Sequence, residues 1–498
     1  MTAGAAYIEA RSPAADAVLK INDDLIERKT NADEDADGAQ PVVGCSIPFM
    51  FLMCAPCMAM NMAWAAQWAA LGPLLQILLP SSAVQLVQLV GPVTGVLVTP
   101  AVGVLSDNCT STYGRRRPFL FWGALSSAAC WLVMMFTVEI GEALGDADAN
   151  AIAANPETAS RKWTTVFTVL CYVWMDITVN LTQVPNSLMI ADFAGDRQVT
   201  AAAVNGGYAT AGSFFVSGYI LACGPAHQSI KRFLSILIGI MLGTCLTVCL
   251  FVKEKQYTRV KTLSRCRQIG DAFLAVWTGI RLLPKRLAIY CIIIVFSQYG
   301  FTAYSGAKGQ FFGIVVKGGV ADGADSCGID DNPKCSTAQI AFNDGVELAS
   351  GTTDTIYNCV GLLALVSLPF FVRKFGVKAV VTVALIPQVL LCAMAFCKNI
   401  PIDMIIVIAC SIPQNVVLYM CMPVIIHVIG HSSESGLGMF AGALNSALCT
   451  GQFLNFIFSS ILVTSSMGYA LPVLVGGILS TIAFFVALFL WDIKSYTM

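Results

Sequence analysis

The amino-acid sequence predicts an all-α polytopic membrane protein in which twelve transmembrane helices form two six-helix bundles. Of its 498 residues, 56% are apolar and 12% are charged, whereas about 25% of the residues in a soluble domain are charged. Apolar runs long enough for a span, which needs about 20 residues, occur about twelve times. A long basic connection separates six of these runs from the other six. Such a layout is typical of two packed halves with a binding site between them.

The apolar runs divide into an N-terminal bundle at 42–252 and a C-terminal bundle at 287–491. The first is predicted to contain spans at about 46–79, 84–105, 118–141, 164–191, 200–222 and 230–252. The second is predicted to contain spans at about 287–307, 352–373, 377–397, 402–429, 436–463 and 468–491. In the basic linker at 253–286, apolar residues at helical spacing predict a helix along the membrane interface. These residues are Ile269, Phe273, Val276, Trp277, Ile280 and Leu283.

The distribution of positive charge predicts the orientation of the helices. Lys and Arg concentrate in the linker and in the loops after the second, fourth and eighth spans, and the alternate loops hold fewer. Because cytosolic loops carry the excess of Lys and Arg, both termini are predicted to be cytosolic. Residues 1–41 are acidic and contain no apolar signal segment, which predicts a disordered cytosolic N-terminus, and 492–498 are a cytosolic tail. The expected host is the plasma membrane or a vacuolar or other internal membrane.

The loop between the second and third spans contains a charged motif. Three adjacent guanidinium groups cannot lie in hydrocarbon, so this loop must face water. The arginines could act only as a topological signal. Alternatively, they form a clasp with acidic residues at neighbouring helix ends, and the clasp holds the cytosolic side shut. The predicted clasp consists of Asp107, Gly114, Arg115, Arg116, Arg117 and Asp192.

Asp176 lies midway along the fourth predicted span, where a carboxylate is costly unless it faces a cavity or a partner. Asn180, Gln183 and Ser187 follow at spacings of four, seven and eleven residues, so the four polar residues share one helical stripe. Such a stripe could serve hydrogen bonding between helices. The ionisable group favours a functional site, because a carboxyl group removed from water holds its proton more tightly. A proton-coupled carrier needs that property.

Uncharged amides and an aromatic ring recur at membrane depth in other spans. With Asn180 and Gln183 they form the candidate substrate-binding set, whose other members are Trp64, Gln67, Gln298, Gln414, Asn445 and Gln452. Amides donate and accept hydrogen bonds, and an indole face is apolar, so the set suits a neutral polyhydroxylated ligand. No Arg or Lys is expected well inside a span, which argues against an anionic substrate. Each amide singly could equally hold two helices together.

Two further candidate pairs lie near the outer side of the second bundle. Lys308, at the end of the seventh span, and Glu347, before the eighth, could form an outer gate or could be exposed loop charges. Cys327 and Cys335 could form a disulfide in the polar loop between those spans. No zinc-ligand spacing, phosphate-binding loop or nucleophile elbow occurs, so no metal or other cofactor is expected. The net charge of −1 argues against nucleic-acid binding.

Gly-x-x-x-Asp at a helix end, followed by Gly-Arg-Arg, is the loop signature of major facilitator transporters. Within that fold the chain resembles the sucrose/proton symporters of the glycoside–pentoside–hexuronide cation symporter group. The resemblance is strongest at Ser106-Asp-Asn-Cys-Thr-Ser111 and Gly114-Arg-Arg-Arg-Pro-Phe119, and it includes Asp176. It implies sugar uptake with Asp176 as the proton-coupling residue. Plant-type members usually carry acidic residues at the position of Lys308 and an arginine at that of Glu347, which implies a charge pair with reversed signs here.

The sequence therefore predicts a secondary active transporter that moves a neutral sugar, sucrose or a related disaccharide or glucoside, in symport with protons by alternating access. A facilitator or symporter for a different neutral solute would keep the same fold. A sensor that binds solute without moving it is an alternative of another class. An enzyme is not expected, because Asp176 is the only carboxylate predicted deep in the membrane and most hydrolysis needs a second catalytic group. The protein is expected to be monomeric.

Overall fold

The computed structural model describes residues 44–148, 151, 160–254, 256, 265–327, 335–429 and 434–493. The predicted disordered N-terminus at 1–41 and most of the predicted tail at 492–498 lie outside these residues. Within the described ranges all regular structure is helical. The all-α class predicted from the apolar runs is confirmed.

Twelve long helices occupy the positions of the twelve predicted spans in the described part of the chain. Ten of them are long and apolar enough to cross a membrane, and the fifth and eleventh have 26 and 29 residues. The N-terminal bundle contains α1 (Ile47–Leu78), α2 (Ser81–Asp107), α3 (Arg117–Met135), α4 (Lys162–Ala194), α5 (Gln198–Cys223) and α6 (Ala226–Phe251). The C-terminal bundle contains α7 (Lys285–Ser305), α8 (Thr337–Phe375), α9 (Val377–Met394), α10 (Ile400–Val428), α11 (Glu434–Leu462) and α12 (Ala470–Leu490).

Helix α8 begins at Thr337 rather than near residue 352, as the sequence had predicted. Ser336 and Gln339 form a reciprocal capping box at this start, with hydrogen bonds of 3.0 and 3.2 Å. The polar composition of the first turns hid the extension, because this segment packs on protein rather than on lipid. Gly345 lies against the backbone of Gly313, where a Cβ atom would come within 2.5 Å of the Gly313 Cα. The extra turns therefore bring α8 close to the segment that follows α7.

Each bundle has its own apolar core. One core is built from buried residues between Met50 and Val252, and another from buried residues between Leu287 and Ile493. In the second core, Tyr290 stacks on Trp491 with 5.0 Å between ring centroids. The bundles meet where α5 packs on α8 and where α2 packs on α11. Residues along these two helix–helix contacts face the space between the bundles.

A helix at Arg265–Arg281, here called the linker helix, lies within the predicted linker. It packs on α2 and α11, and a Cβ atom at Gly442 of α11 would lie 3.3 Å from the Val276 side chain. Its position along a membrane surface stays a prediction. The end of the molecule that carries Arg115 is called the arginine end below. The opposite end, which carries Cys327, is called the disulfide end.

Candidate functional site

A cavity of about 670 Å³ lies between the two bundles. Helices α1, α2, α4 and α5 contribute one side of its lining, and α7, α8, α10 and α11 contribute the other. The structure brings together all eight residues of the candidate substrate-binding set around this cavity: Trp64, Gln67, Asn180, Gln183, Gln298, Gln414, Asn445 and Gln452. Ser187, the last residue of the predicted α4 stripe, is exposed and is absent from the lining.

Hydrogen bonds orient the polar side chains on the N-terminal wall. The indole Nε1 of Trp64 donates to Gln183 Oε1 over 2.8 Å. The amide Nδ2 of Asn180 donates to the Asp176 carbonyl over 2.8 Å and to Thr94 Oγ1 over 3.3 Å. Each amide is thereby held in one orientation while part of it faces the cavity. Such preorganisation reduces the entropy lost when a ligand binds.

The Asp176 carboxylate is fully buried directly behind this wall. Its Oδ1 accepts a hydrogen bond of 3.0 Å from Gln67 Nε2, and its Oδ2 has no partner among the described residues. A Cβ atom at Gly91 would lie 3.8 Å from Oδ1. Gln67 and Gly91 both line the cavity. Asp176 therefore lies one hydrogen bond from the cavity, within the protein rather than against lipid, and is covered in this conformation.

The C-terminal wall presents amides from α7, α10 and α11. Gln298 Nε2 donates to Gln414 Oε1 over 3.0 Å, and Gln298 Oε1 has no partner among the described residues. Asn445 and Gln452 are seven residues apart on α11 and share a face. Neither forms a hydrogen bond with a described residue. These groups are available to a hydroxylated ligand.

Lys308 forms an ion pair with Asp354 in the cavity wall, and both side chains are largely buried. The predicted outer-gate pair of Lys308 and Glu347 is therefore wrong. Because α8 begins early, Glu347 lies inside the helix, seven residues and about two turns before Asp354. Its Oε2 lies 4.0 Å from where a Cβ atom of Gly224 would be. Lys308 pairs with Asp354 instead of Glu347.

Lys308 is a buried cation in the cavity wall, just beyond the end of α7. One further expectation from the sequence is corrected here. Asp176 is not the only buried carboxylate in a candidate span, because Asp354 and the fully buried Asp403 lie in α8 and α10. Lys308 and Asp354 are the only Lys, Arg, Asp or Glu in the described lining. Their charges cancel, so the wall remains formally neutral.

A stripe on α8 lines the cavity and was missed from the sequence. Asp354, Tyr357, Asn358, Gly361 and Leu365 follow at spacings of three, four, seven and eleven residues. That periodicity marks a single helical face and could have been found.

The predicted clasp residues meet at the arginine end. Arg116 contacts Asp107 at 2.5 Å and Asp192 at 3.3 Å, and Arg115 contacts Asp192 at 2.8 Å. Arg117 instead donates to the carbonyl of Cys249 in α6. The described contacts join α2, α3, α4 and α6 of one bundle. They stabilise that bundle's end, and a role in closing the space between bundles stays a prediction.

Glu254 also belongs to this cluster. No sequence pattern predicted this contact, because Glu254 lies 138 residues from Arg116. Its carboxylate accepts the backbone N–H groups of Arg116 and Arg117 over 3.0 and 2.9 Å, which caps the start of α3. Gly114 has φ of 106°, and a Cβ atom there would lie 2.4 Å from Glu254 Oε2. Glycine at this position is required by backbone conformation and by the approach of Glu254.

We expect Gly114→Ala to destabilise the protein by about 3 kcal/mol. The positive φ costs about 1–2 kcal/mol, and displacing a charged hydrogen-bonding group adds about 1.5–3 kcal/mol. Gly145→Ala is the matched control, because Gly145 has φ of 105° and nothing within 4 Å of a Cβ atom. Thermal unfolding in detergent measures both. Equal losses of unfolding temperature in the two variants would contradict a role for the Glu254 contact.

The predicted disulfide is present at the opposite end. Cys327 and Cys335 are bonded, with 5.8 Å between their Cα atoms. The bond joins the loop after α7 to the residue before the capping box of α8. This loop also contains Asp325, which reaches across to the other bundle.

Arg161, just before α4, forms a bidentate ion pair with Asp325 over 2.7 and 3.2 Å. Their side chains are only 11% and 16% exposed, so the pair is shielded from water better than most surface ion pairs. Asp146 holds the start of α4 beside Arg161 by accepting the N–H groups of Trp163 and Thr164. Partial burial alone would raise the pKa of Asp146, but these hydrogen bonds lower it below its ordinary value.

Other polar contacts also join the bundles at the disulfide end. His227 of α6 bonds Asn343 of α8 over 2.8 Å, and Gln88 Nε2 donates to the Gly306 carbonyl over 3.0 Å. Tyr469 donates its hydroxyl to Gln76 of α1. These contacts join the two bundles at the disulfide end. The sequence did not predict them, because each joins residues more than one hundred positions apart.

Comparisons with known proteins agree with the fold. Residues 74–300 match the family model described as MFS/sugar transport protein. A sucrose transport protein of Arabidopsis thaliana is 33% identical over 177 residues, which are 35% of this chain and 29% of that protein. A sucrose transport protein of Oryza sativa subsp. indica is 29% identical over 266 residues, which are 50% of this chain and 52% of that protein. The chain thus matches about half or less of the length of these relatives.

A solved structure of a D-xylose–proton symporter covers 90% of this chain and 98% of its own, with a TM-score of 0.58 and 14% identity. At that identity the likeness concerns the fold, and it extends over both bundles. The family match extends from the end of α1, at residue 74, to residue 300 in α7. The chain is therefore similar to MFS/sugar transport proteins over residues 74–300, and both of its bundles have the fold of the D-xylose–proton symporter.

Proposed function

We propose that this protein is a secondary active transporter that carries a neutral sugar together with protons by alternating access. The observation that carries the proposal is the formally neutral cavity between the bundles, with Asp176 one hydrogen bond behind its wall. A carboxyl group beside a solute cavity can couple proton binding to solute binding. Closure of the disulfide end by contacts between the bundles is the arrangement expected of one state in such a cycle.

The chemistry of the lining supports a polyhydroxylated solute. Amides from both bundles present donors and acceptors, and Trp64 and Trp68 supply apolar ring surface. A cavity of about 670 Å³ falls within the range of small-molecule sites. The names of the sequence relatives favour sucrose or a related disaccharide or glucoside. We assign substrate binding to the eight predicted residues, and we add Asn358 and the Lys308–Asp354 pair.

In the proposed cycle, Asp176 takes up a proton when the disulfide end is open, and the sugar then binds between the bundles. Closure forms the Arg161–Asp325 pair, and both cargoes leave at the arginine end. The excess of Lys and Arg at that end supports a cytosolic location for it. The clasp around Arg116 keeps the ends of α2, α3 and α4 together while the bundles move relative to each other.

The deciding experiment is uptake into proteoliposomes across a sugar panel, with and without an inward proton gradient. The proposal expects accumulation of a disaccharide above its outside concentration only when the gradient is present. Equilibration that ignores the gradient would indicate a facilitator. Binding without any flux would indicate a sensor, and it would overturn the transport proposal.

We expect Asp325→Asn to shift the protein toward conformations that are open at the disulfide end. A hydrogen bond to a charged group contributes about 1.5–3 kcal/mol, so the population ratio should change by about tenfold or more. Pulsed electron paramagnetic resonance between labels on the two bundles at this end measures the shift. Glu139→Gln is the control, because the Glu139–Lys231 pair lies within one bundle and is about half exposed. A label distribution unchanged by Asp325→Asn would contradict the closing role.

A further inference from the structure

The linker helix has an exposed apolar flank that the transport cycle does not use. Its other side packs on α2 and α11. On the flank, Leu274 and Trp277 are 48% and 55% exposed, and Ile280 and Leu282 are also exposed. Residues 274, 277 and 281 follow at helical spacing, so they lie on one side of the helix. Large apolar side chains exposed together on one side of a helix are typical of an interaction site.

The chain connection places this flank beside the membrane. The linker helix ends at Arg281, and α7 begins at Lys285. Four Cα–Cα steps span at most about 14 Å. The exposed apolar residues therefore lie close to the level at which α7 enters the bilayer. This position favours lipid over a soluble protein as the partner.

Basic side chains accompany the apolar flank. The Arg281 guanidinium lies over the Trp277 ring, 5.4 Å from its centroid. Lys285 and Arg286 are exposed at the start of α7. None of the three forms an ion pair with a residue that the structure describes. Apolar residues beside basic ones are the pattern of helices that lie on anionic membranes, and each such charge strengthens binding by about fivefold.

We propose that this flank docks on the anionic headgroup layer at the arginine end of the protein. Leu274, Trp277 and Ile280 enter the boundary between headgroups and acyl chains, and Arg281, Lys285 and Arg286 bind lipid phosphates. Because the same helix contacts α2 of one bundle and α11 of the other, docking ties both bundles to the lipid surface. The content of anionic lipid in the membrane would thereby affect how readily the two bundles move relative to each other.

The test compares backbone hydrogen exchange of residues 270–283 in the full-length protein. Nanodiscs are made of phosphatidylcholine alone, or of phosphatidylcholine and phosphatidylglycerol in equal parts. Exchange should be at least about fivefold slower in the anionic discs, which is the effect of one docked charge. The triple variant Arg281→Gln/Lys285→Gln/Arg286→Gln should lose this difference. Trp277→Ala should reduce it without altering any charge.

The control is Arg373→Gln/Lys374→Gln, which removes exposed positive charge at the same end but outside the flank. It should keep the difference between the two lipid compositions. Exchange in α8–α12 reports whether each variant is folded. Equal exchange in both compositions, a difference that survives the triple variant, or a difference lost in the control would each overturn the proposal. No arm measures transport, so the result is independent of the proposed function.

Discussion

Substitution of Asp176 by asparagine is expected to abolish sugar accumulation driven by a proton gradient. A gradient of two pH units supplies about 2.7 kcal/mol per proton, which corresponds to about 100-fold accumulation for one coupled proton. Asparagine keeps the size of the side chain and an oxygen that can accept from Gln67 Nε2. It cannot bind and release a proton near neutral pH. The variant should therefore fold and bind sugar, and its inside-to-outside ratio should stay near one.

Two measurements separate coupling from folding in the Asp176→Asn variant. Counterflow exchange of labelled sugar needs no net proton movement, so it should persist. Asp403→Asn is the matched control, because Asp403 is also a fully buried carboxylate in a candidate span but does not line the cavity. That control should accumulate sugar like the parent protein. If Asp176→Asn accumulates sugar as well as the parent does, the coupling role belongs to another residue.

Local patterns in the sequence were sufficient to predict the helices and much of the cavity. Apolar runs set the spans because lipid allows only helices with internally satisfied backbone groups in an all-α protein. Asn180 and Gln183 were found because they share a helical stripe with Asp176. Amides on other helices were found because polar groups at membrane depth need a protein or water neighbour. Each of these inferences depends either on the spacing of residues within one helix or on the free-energy cost of burying one polar side chain.

Contacts between distant segments could not be predicted in the same way. The Arg161–Asp325 pair joins residues 164 positions apart, and no spacing rule connects them. Glu254 caps α3 from the far end of α6 for the same reason. The error at Lys308 has a local cause, because the polar first turns of α8 were interpreted as a loop. That mistake placed Glu347 at the helix entrance and left Asp354 without a role.

The Lys308–Asp354 pair gives the second large expected effect. Removing only Lys308, as in Lys308→Met, leaves a largely buried carboxylate without its partner, which costs about 3–5 kcal/mol of stability. Removing both charges, as in Lys308→Met/Asp354→Asn, avoids an uncompensated buried charge. The double variant should therefore unfold within a few degrees of the parent protein, whereas the single variant should unfold at a clearly lower temperature. This comparison isolates the cost of an unpaired charge.

The double variant then decides whether the pair also contacts the sugar. Both residues line the cavity, and a hydrogen bond from a charged group to a ligand hydroxyl contributes about 1.5–3 kcal/mol. Loss of one such bond should raise KM for uptake by about 10–100-fold in a folded protein. Glu139→Gln/Lys231→Gln, which removes an exposed pair outside the cavity, should leave KM unchanged. A double variant with the parent KM would mean that the Lys308–Asp354 pair supports the wall without binding the sugar, and recognition would then rest on the amides alone.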